Sequence, residues 1–229
     1  MIVTLDGPAG SGKSTTARLV AERLGWLYLD TGALYRAVAL AFVDAGAPFT
    51  EEGAAGVVAG LDVHAERPHE PGGAMRVRMG AADVTGRLRT PEVGATASRI
   101  SSLKAVRAAL LDVQRAVARE QARETGGAVL DGRDTGTVVF PDADVKVFMQ
   151  ADLAARAARR HAELARRLGL GAPDIEAVRA EIAERDARDT NRAIAPLKAA
   201  ADAVVLDTTG LTLDEQVERV LALIAERRG

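Results

Sequence analysis

Short apolar runs alternate with longer amphipathic segments in the first part of the chain. Residues 1–5 and 27–29 are apolar runs of the kind typical of buried strands. Residues 14–24 carry apolar side chains at helical spacing, and residues 34–44 predict a second helix that ends before Gly46. This strand-helix-strand-helix order predicts a parallel sheet covered by helices.

The alternation breaks at about Gly60. Residues 61–66, 75–79 and 82–85 predict three short strands, which the Pro/Gly-rich segment 68–73 and Gly80 separate. Short strands that follow one another closely pair antiparallel, so this segment predicts a small antiparallel insert.

The remainder of the chain returns to helices and buried strands. Residues 96–123 predict a helical segment in two pieces, broken near Ser101 and Ser102. The other predicted strands are 128–131, 145–149 and 203–206, and the other predicted helices are 152–168, 174–189 and 213–228. The fold class predicted from the whole pattern is α/β, with a parallel sheet, a small antiparallel insert and a single domain.

Composition removes several classes of function. The 229 residues include no cysteine, which excludes disulfides, thiolate metal sites and a cysteine nucleophile. The formal net charge of −2 gives no global case for a nucleic-acid or membrane partner. No apolar run approaches the roughly 18 residues that a membrane span needs. We therefore expect a cytoplasmic protein and, since no long exposed apolar face is evident, a monomer.

A phosphate-binding loop follows the first predicted strand. Residues 7–14 match the pattern G-x-x-x-x-G-K-[ST], with a strand before it and a helix after it as the motif requires. Backbone N–H groups and the helix N-terminus can surround phosphates, Lys13 can reach the β- and γ-phosphates, and Ser14 can bind Mg²⁺. The predicted ATP-binding residues are Gly7, Pro8, Ala9, Gly10, Ser11, Gly12, Lys13, Ser14 and Thr15.

The remaining motifs separate three kinds of P-loop protein, namely GTPase switches, motor or transporter ATPases, and small-molecule kinases. A GTPase needs an N-K-x-D segment to recognise guanine, and the sequence contains none. A motor or transporter ATPase usually has a longer chain and a strand that ends in an acidic pair. Here Arg133 stands between Asp131 and Asp134, and an arginine suits a second anionic ligand better than a site for attack by water.

Two groups of arginines recur at helical spacing near the C-terminus. Arg156, Arg159 and Arg160 are spaced to share one helix face. Arg185, Asp189 and Arg192 share another face if their helix extends to residue 192. Either group taken alone is typical of a solvated, salt-bridged helix surface. Beside a phosphate-binding loop, however, they favour the binding of a second phosphate-bearing ligand.

Several motifs in order resemble the bacterial cytidylate kinase family. Two blocks are far more specific to this family than the phosphate loop is. They are D-G-R-D-x-G-T-V-V-F-P and E-R-D-x-R-D-x-N-R-x-x-x-P-L. The residues that carry the resemblance are 7–14, 30–36, 89–93, 131–142 and 184–192.

The resemblance implies a phosphotransferase that uses ATP and Mg²⁺ to phosphorylate CMP and dCMP. It implies a core at about 1–30, 98–151 and 190–229, and a monophosphate-binding region at about 31–97 that contains the insert. It also implies a lid at about 152–189 that closes to exclude water. We expect the lid arginines to repel one another until phosphates arrive.

The resemblance also assigns roles to individual residues. It places Arg36, Arg133 and Arg192 on the CMP phosphate, Arg185 and Asp189 on the sugar, and Ser98, Arg107 and Asp134 on the base. Thr31, Tyr35, Arg89 and Asp131 complete the implied CMP site. The implied catalytic residues are Lys13, Arg133, Arg156 and Arg192.

Three points stay open at this level. Asp134 can read cytosine or pair with Arg133, and Asp131 can serve the substrate or orient water on Mg²⁺. A kinase of the same architecture for another small acceptor is the main alternative function. A regulatory module that binds nucleotide without catalysis is the second alternative, and the two groups of arginines argue against it.

The three histidines, His64, His69 and His161, have no metal-ligand spacing.

Overall fold

Within the residues that the computed structural model describes, 1–66 and 75–229, eight strands form two sheets. The strands are β1 (Ile2–Asp6), β2 (Leu27–Asp30), β3 (Val63–Glu66), β4 (Arg76–Met79), β5 (Ala82–Asp83), β6 (Ala128–Gly132), β7 (Val145–Gln150) and β8 (Val204–Asp207). The larger sheet has the order β2-β6-β1-β7-β8, and the smaller sheet has the order β3-β4-β5.

Eight α-helices accompany the strands in the same described part. They are α1 (Lys13–Leu24), α2 (Thr31–Ala45), α3 (Glu51–Ala59), α4 (Pro91–Ile100), α5 (Lys104–Thr125), α6 (Leu153–Leu168), α7 (Ile175–Asn191) and α8 (Leu213–Arg228). Short 3₁₀ turns occur at Thr85–Arg89 and Gly169–Gly171, and Thr135–Val139 forms a π-turn.

Backbone contacts divide the chain into two compact units. The first unit comprises Met1–Ile2 and Ala21–Gly132, and the second comprises Val3–Val20 and Arg133–Gly229.

In the first unit, β2 pairs in parallel with β6, so that Asp30 lies beside Asp131 at the carboxyl ends of the two strands. Helix α2 starts directly after β2, because the Asp30 side chain caps it by accepting a hydrogen bond from the Ala33 amide at 3.0 Å. The core of this unit includes the fully buried Leu34 and Phe42 of α2.

In the second unit, β1 pairs in parallel with β7, and β7 pairs in parallel with β8. The loops that follow β1 and β8 therefore leave from the same edge of the sheet, where parallel α/β folds bind their ligands. Helices α6 and α7 pack against each other through Leu164, Val178 and Ile182. A capping box between Thr212 and Glu215 starts α8.

The α/β fold and the antiparallel insert are confirmed. Strands β3 and β4 pair antiparallel, and so do β4 and β5. The predicted break at Ser101 and Ser102 is also confirmed, since α4 ends at Ile100 and α5 begins at Lys104. The Pro/Gly-rich segment 68–73 and His69 lie outside the described residues.

Two helix predictions are corrected. Helix α2 begins at Thr31 rather than at residue 34, because its cap is the last residue of the preceding strand. The apolar pattern does not predict α3, because Gly53 and Gly56 lower the helix propensity of this segment. Thr50 nevertheless starts the helix by accepting a hydrogen bond from the Gly53 amide at 3.1 Å.

Candidate active site

The phosphate loop of the second unit depends on glycines where a side chain would collide. Gly7 has a φ of +151°, and a Cβ built there would lie 2.0 Å from the Met149 carbonyl oxygen. Gly12 has a φ of +94°, and its Cβ would lie 2.6 Å from the Gln216 side-chain oxygen. Only glycine fits at these two positions, so the spacing of the motif reflects the path of the backbone.

The polar side chains of the loop are arranged around its backbone. Lys13 is almost fully buried, and its Nζ donates to the Pro8 carbonyl oxygen at 3.1 Å. Ser14 and Thr15 are exposed in the first turn of α1. The buried Ser11 hydroxyl has no hydrogen-bond partner among the described residues. A helix N-terminus with these groups suits a polyphosphate.

Two arginine–carboxylate pairs follow in the same unit. Arg133 Nε donates to the Asp189 carboxylate at 3.0 Å. Arg192 Nη2 lies 3.5 Å from Asp134 Oδ1, and both side chains are less than a tenth exposed. The structure therefore shows an Asp134–Arg192 contact, and the role of Asp134 in recognising the base stays a prediction.

The spacing argument for Arg192 needs correction. Helix α7 ends at Asn191, and Arg192 is its extended C-cap residue with φ −63° and ψ +137°. Arg192 therefore does not continue the helix face of Arg185 and Asp189. Its guanidinium instead reaches Asp134 from beyond the helix end, whereas Arg185 is exposed on the helix.

Each arginine of α6 has a protein acceptor, and the expected repulsion among these arginines stays a prediction. Arg156 donates to the Ala9 carbonyl oxygen at 2.9 Å. Arg159 donates to the Thr208 hydroxyl at 3.2 Å, and Arg160 pairs with Glu163 at 2.7 Å. The spacing of the arginines in the sequence could not identify these acceptors.

A polar cluster of the first unit lies at the carboxyl ends of β2 and β6. The buried Thr31 hydroxyl donates to the Asp131 carbonyl oxygen at 2.7 Å. The Tyr28 hydroxyl donates to the Asp131 carboxylate at 3.3 Å. Burial, and then the charge of Asp131, raise the pKa of Tyr28 well above its usual value, so the phenol stays a donor.

Arg36 belongs to the same unit, and a carboxylate binds one edge of its guanidinium group. Its Nη2 pairs with Asp30 at 2.7 Å, and its Nε is buried without a hydrogen-bond partner in the described part of the chain. An unmet buried donor on an arginine is costly unless a ligand accepts from it. The Nε of Arg36 is therefore a candidate donor to an anionic ligand.

The residues implied for base recognition form a second group in the first unit. The Arg107 guanidinium lies 5.9 Å from the centre of the Tyr35 ring and donates to the Ser101 carbonyl oxygen at 3.1 Å. The buried Ser98 hydroxyl has no partner among the residues described. Arg89 is exposed at the end of its 3₁₀ turn. Ser98 and Arg36 thus each have a buried polar atom that forms no hydrogen bond with the described residues.

Comparisons with known proteins identify the family of the chain. The family model described as cytidylate kinase matches residues 3–226. The chain belongs to this family. It is 52% identical to the cytidylate kinase of Salinibacter ruber over 229 residues, which cover 100% of this chain and 99% of the relative. It is 48% identical to the cytidylate kinase of Bordetella bronchiseptica, with 96% of this chain and 93% of the relative covered. The family is one of ATP-dependent nucleoside monophosphate kinases, so the chain is an enzyme of that class.

No helix in residues 1–66 and 75–229 is both long and apolar enough to span a bilayer.

Residues of this cytidylate kinase family member that no motif singled out support the phosphate loop from behind. The buried Thr208 hydroxyl donates to the Ser11 carbonyl oxygen at 2.9 Å. The Gln216 side-chain oxygen accepts from the Thr16 hydroxyl at 3.1 Å. Both lie about 200 residues away in sequence, so local pattern offered no signal for either contact.

Asp6 is a further residue that the motifs missed, although it directly precedes the loop. Its carboxylate accepts from the Thr135 amide at 2.9 Å, from the Thr135 hydroxyl at 2.8 Å and from the Gly136 amide at 2.7 Å. Burial nevertheless raises the pKa of Asp6 to about 6, because desolvation outweighs these hydrogen bonds. Asp6 thereby fixes the turn that follows Asp134.

We expect Asp6 to make the stability of the enzyme depend on pH. The pKa of Asp6 is about 6 in the folded protein against 3.8 for a free side chain, so the folded state holds more protons between these values. The free energy of unfolding therefore falls as the pH rises from about 4 to 6, by about 2–3 kcal/mol. Urea unfolding at pH 4 and pH 7 measures the effect in the wild type and in Asp6→Asn.

The variant supplies the control, since all other titrating groups are shared and cancel in the difference. The stability of Asp6→Asn relative to the wild type should rise between pH 4 and pH 7. A difference that stays constant across this range would show that Asp6 has no raised pKa.

Proposed function

We propose that the enzyme transfers the γ-phosphoryl group of ATP to CMP, and to dCMP, giving ADP and CDP or dCDP. The observation that carries this proposal is the family match across residues 3–226, supported by relatives named cytidylate kinase at 45–52% identity. In the reaction, the bond between the γ-phosphorus and the β,γ-bridging oxygen breaks. A bond forms from the γ-phosphorus to a CMP phosphate oxygen, and the released electron pair stays on ADP.

Phosphoryl transfer to CMP depends on stabilisation of negative charge in the transition state more than on proton transfer. The attacking phosphate oxygen is already anionic, so no serine, histidine or cysteine nucleophile is required. Lys13 and the backbone N–H groups of the loop would hold the donor phosphates, and Arg156 would stabilise the transferred group. Mg²⁺, when bound, would supply further positive charge that stabilises the transferred group.

The residues present fit a magnesium ion that arrives with ATP. Ser14 is exposed at the second position of α1, where its hydroxyl can supply one oxygen ligand. Mg²⁺ prefers oxygen ligands and usually keeps several waters, with the other ligands coming from phosphates. The site therefore needs no cluster of protein carboxylates.

The residues proposed to bind CMP, the phosphoryl acceptor, come from both units. The roles of Arg36 and Ser98 in binding CMP are supported by one buried polar atom on each, which has no hydrogen-bond partner among residues 1–66 and 75–229. Arg133 and Arg192 are assigned to the CMP phosphate, since guanidinium groups bind phosphate through paired hydrogen bonds. Asp134 is assigned to the base. The assignments of the sugar to Arg185 and Asp189, and of supporting roles to Thr31, Tyr35, Arg89, Arg107 and Asp131, remain predictions from the resemblance.

The test is an acceptor-dependent assay of ADP formation with ATP and Mg²⁺. CMP, dCMP, UMP, AMP and shikimate are supplied in turn, and the no-acceptor reaction measures hydrolysis alone. We expect CMP and dCMP to give the highest kcat/KM. A higher value for another acceptor would replace the proposed substrate, and equal rates with and without any acceptor would contradict a kinase function.

The division into core, monophosphate-binding region and lid, the monomeric state and the cytoplasmic location remain predictions.

A further inference from the structure

Arg156 of α6 is held on two sides of its guanidinium group. It is only 7% exposed, although arginines are rarely buried. Its Nε donates to the Ala151 carbonyl oxygen at 2.9 Å, and its Nη1 donates to the Ala9 carbonyl oxygen at 2.9 Å. Nη1 also forms an ion pair with Asp186 of α7. Among the described residues, no acceptor is bonded to Nη2, which leaves one edge of the guanidinium group for a ligand.

Asp186 binds both Arg156 and the phosphate loop. One carboxylate oxygen pairs with Arg156, and the other accepts from the Ala9 amide at 3.2 Å. Both backbone polar atoms of Ala9 are therefore engaged, its amide by Asp186 and its carbonyl oxygen by Arg156. The three residues form a closed cluster, which we name the Ala9 clamp.

Apolar packing reinforces the clamp. The methyl group of Ala9 belongs to the same buried cluster as Ala157, Leu164, Val178 and Ile182 of α6 and α7. The helix pair thus contacts the phosphate loop through both polar and apolar groups at one residue. A movement of the helix pair away from the loop would have to break both sets of contacts.

We propose that Asp186 is a positioning residue that holds Arg156 against the phosphate loop, so that Nη2 is presented to the phosphates of the donor. The inference rests on the proposed function and adds a residue to which the sequence motif assigned no role. Arginine has many rotamers, and a fixed guanidinium group stabilises a transition state without being reoriented during the reaction.

The opposite role for Asp186 makes a different prediction. A carboxylate on a loop amide occupies a donor that anionic ligands use, so Asp186 would then compete with ATP. Under that alternative, removal of its charge would tighten ATP binding and raise turnover at low ATP. Under our proposal, it lowers kcat.

The test is a double-mutant cycle of Asp186→Asn and Arg156→Ala, with kcat and both KM values measured for all four proteins. We expect Asp186→Asn alone to lower kcat by about 10- to 100-fold, the scale of a misplaced catalytic group, and to change the KM for CMP less. In the Arg156→Ala background the same replacement should lower kcat by less than about threefold, because residues that act through one another are not additive.

Glu176→Gln is the matched control, since Glu176 lies on the same helix in an exposed ion pair with Arg179 at 3.6 Å. It should leave kcat unchanged. If Asp186→Asn is unfolded at the assay temperature, Asp186→Glu replaces it in the double-mutant cycle. This variant keeps the negative charge and displaces it by one methylene group.

The proposal is overturned if Asp186→Asn costs the same factor with and without Arg156, or if it raises turnover or ATP affinity. The cycle is run with whichever acceptor the wild type phosphorylates fastest, or on ATP hydrolysis if there is none. A failure of CMP as the substrate would therefore refute the proposed function and still leave the role of Asp186 decided.

Discussion

Replacement of Lys13 by alanine should lower kcat by about 10²- to 10³-fold, the usual cost of removing one group that stabilises transition-state charge. The Lys13 ammonium group is the cation of the phosphate loop, and its Nζ lies 3.1 Å from the Pro8 carbonyl oxygen. The hydrogen bond to Pro8 can be exchanged for one to a phosphate oxygen when ATP binds. Steady-state rates with saturating ATP and CMP measure the loss.

The fold of the Lys13→Ala variant should be intact, because the glycines that shape the loop remain. Thermal unfolding of the variant checks this point. Lys198→Ala provides the matched control, since Lys198 is an exposed lysine outside the loop. A Lys13→Ala variant that kept more than about a tenth of the wild-type turnover would rule out the proposed transition-state role.

The second large effect concerns the choice of base. Asp134 is 6% exposed, and its backbone carbonyl accepts from the Val138 amide at 2.9 Å, so the π-turn holds its position. Its carboxylate can accept from the N4 amino group of cytosine, whereas the O4 of uracil would face it as a second acceptor. Asp134→Asn should therefore narrow the preference for CMP over UMP by about 1–3 kcal/mol, or roughly 10- to 100-fold.

The measurement is kcat/KM for CMP and for UMP in both proteins. The variant also weakens the contact with Arg192, which lies 3.5 Å from the carboxylate, so activity toward both substrates should fall. The ratio of the two values isolates base recognition. Asp142→Asn is the control, because Asp142 is an exposed carboxylate after the same turn. An equal fall for CMP and UMP would mean that Asp134 only orients Arg192, and base recognition would then be assigned to Ser98 and Arg107.

The helix boundaries show where local pattern is sufficient. Helix α8 runs from Leu213 to Arg228, as predicted, because Thr212 and Glu215 form a cap from adjacent residues. Helix α2 starts earlier than its apolar pattern indicates, because Asp30 serves both as the last strand residue and as the helix cap. Patterns of burial predict the middle of a helix well, whereas caps determine its ends.

The arginines show where pattern is not sufficient. Spacing correctly places Arg156, Arg159 and Arg160 on α6, but it carries no information about their acceptors. Those acceptors are backbone and side-chain oxygens of the phosphate loop, of the segment after β8 and of α6 itself. An arginine that is exposed by pattern can therefore be buried in the fold.

The sequence by itself determined the phosphate loop, the family, and the order of the described strands and helices with the exception of α3. Each of these depends on residues that are close together or on motifs that recur in a set order. Only the tertiary structure decided which groups hold the loop in place. Asp186 contacts Ala9 across 177 residues, and Thr208 contacts Ser11 across 197. Such contacts exist only after the parallel strands have brought distant segments to one edge of the sheet, and no local spacing encodes them.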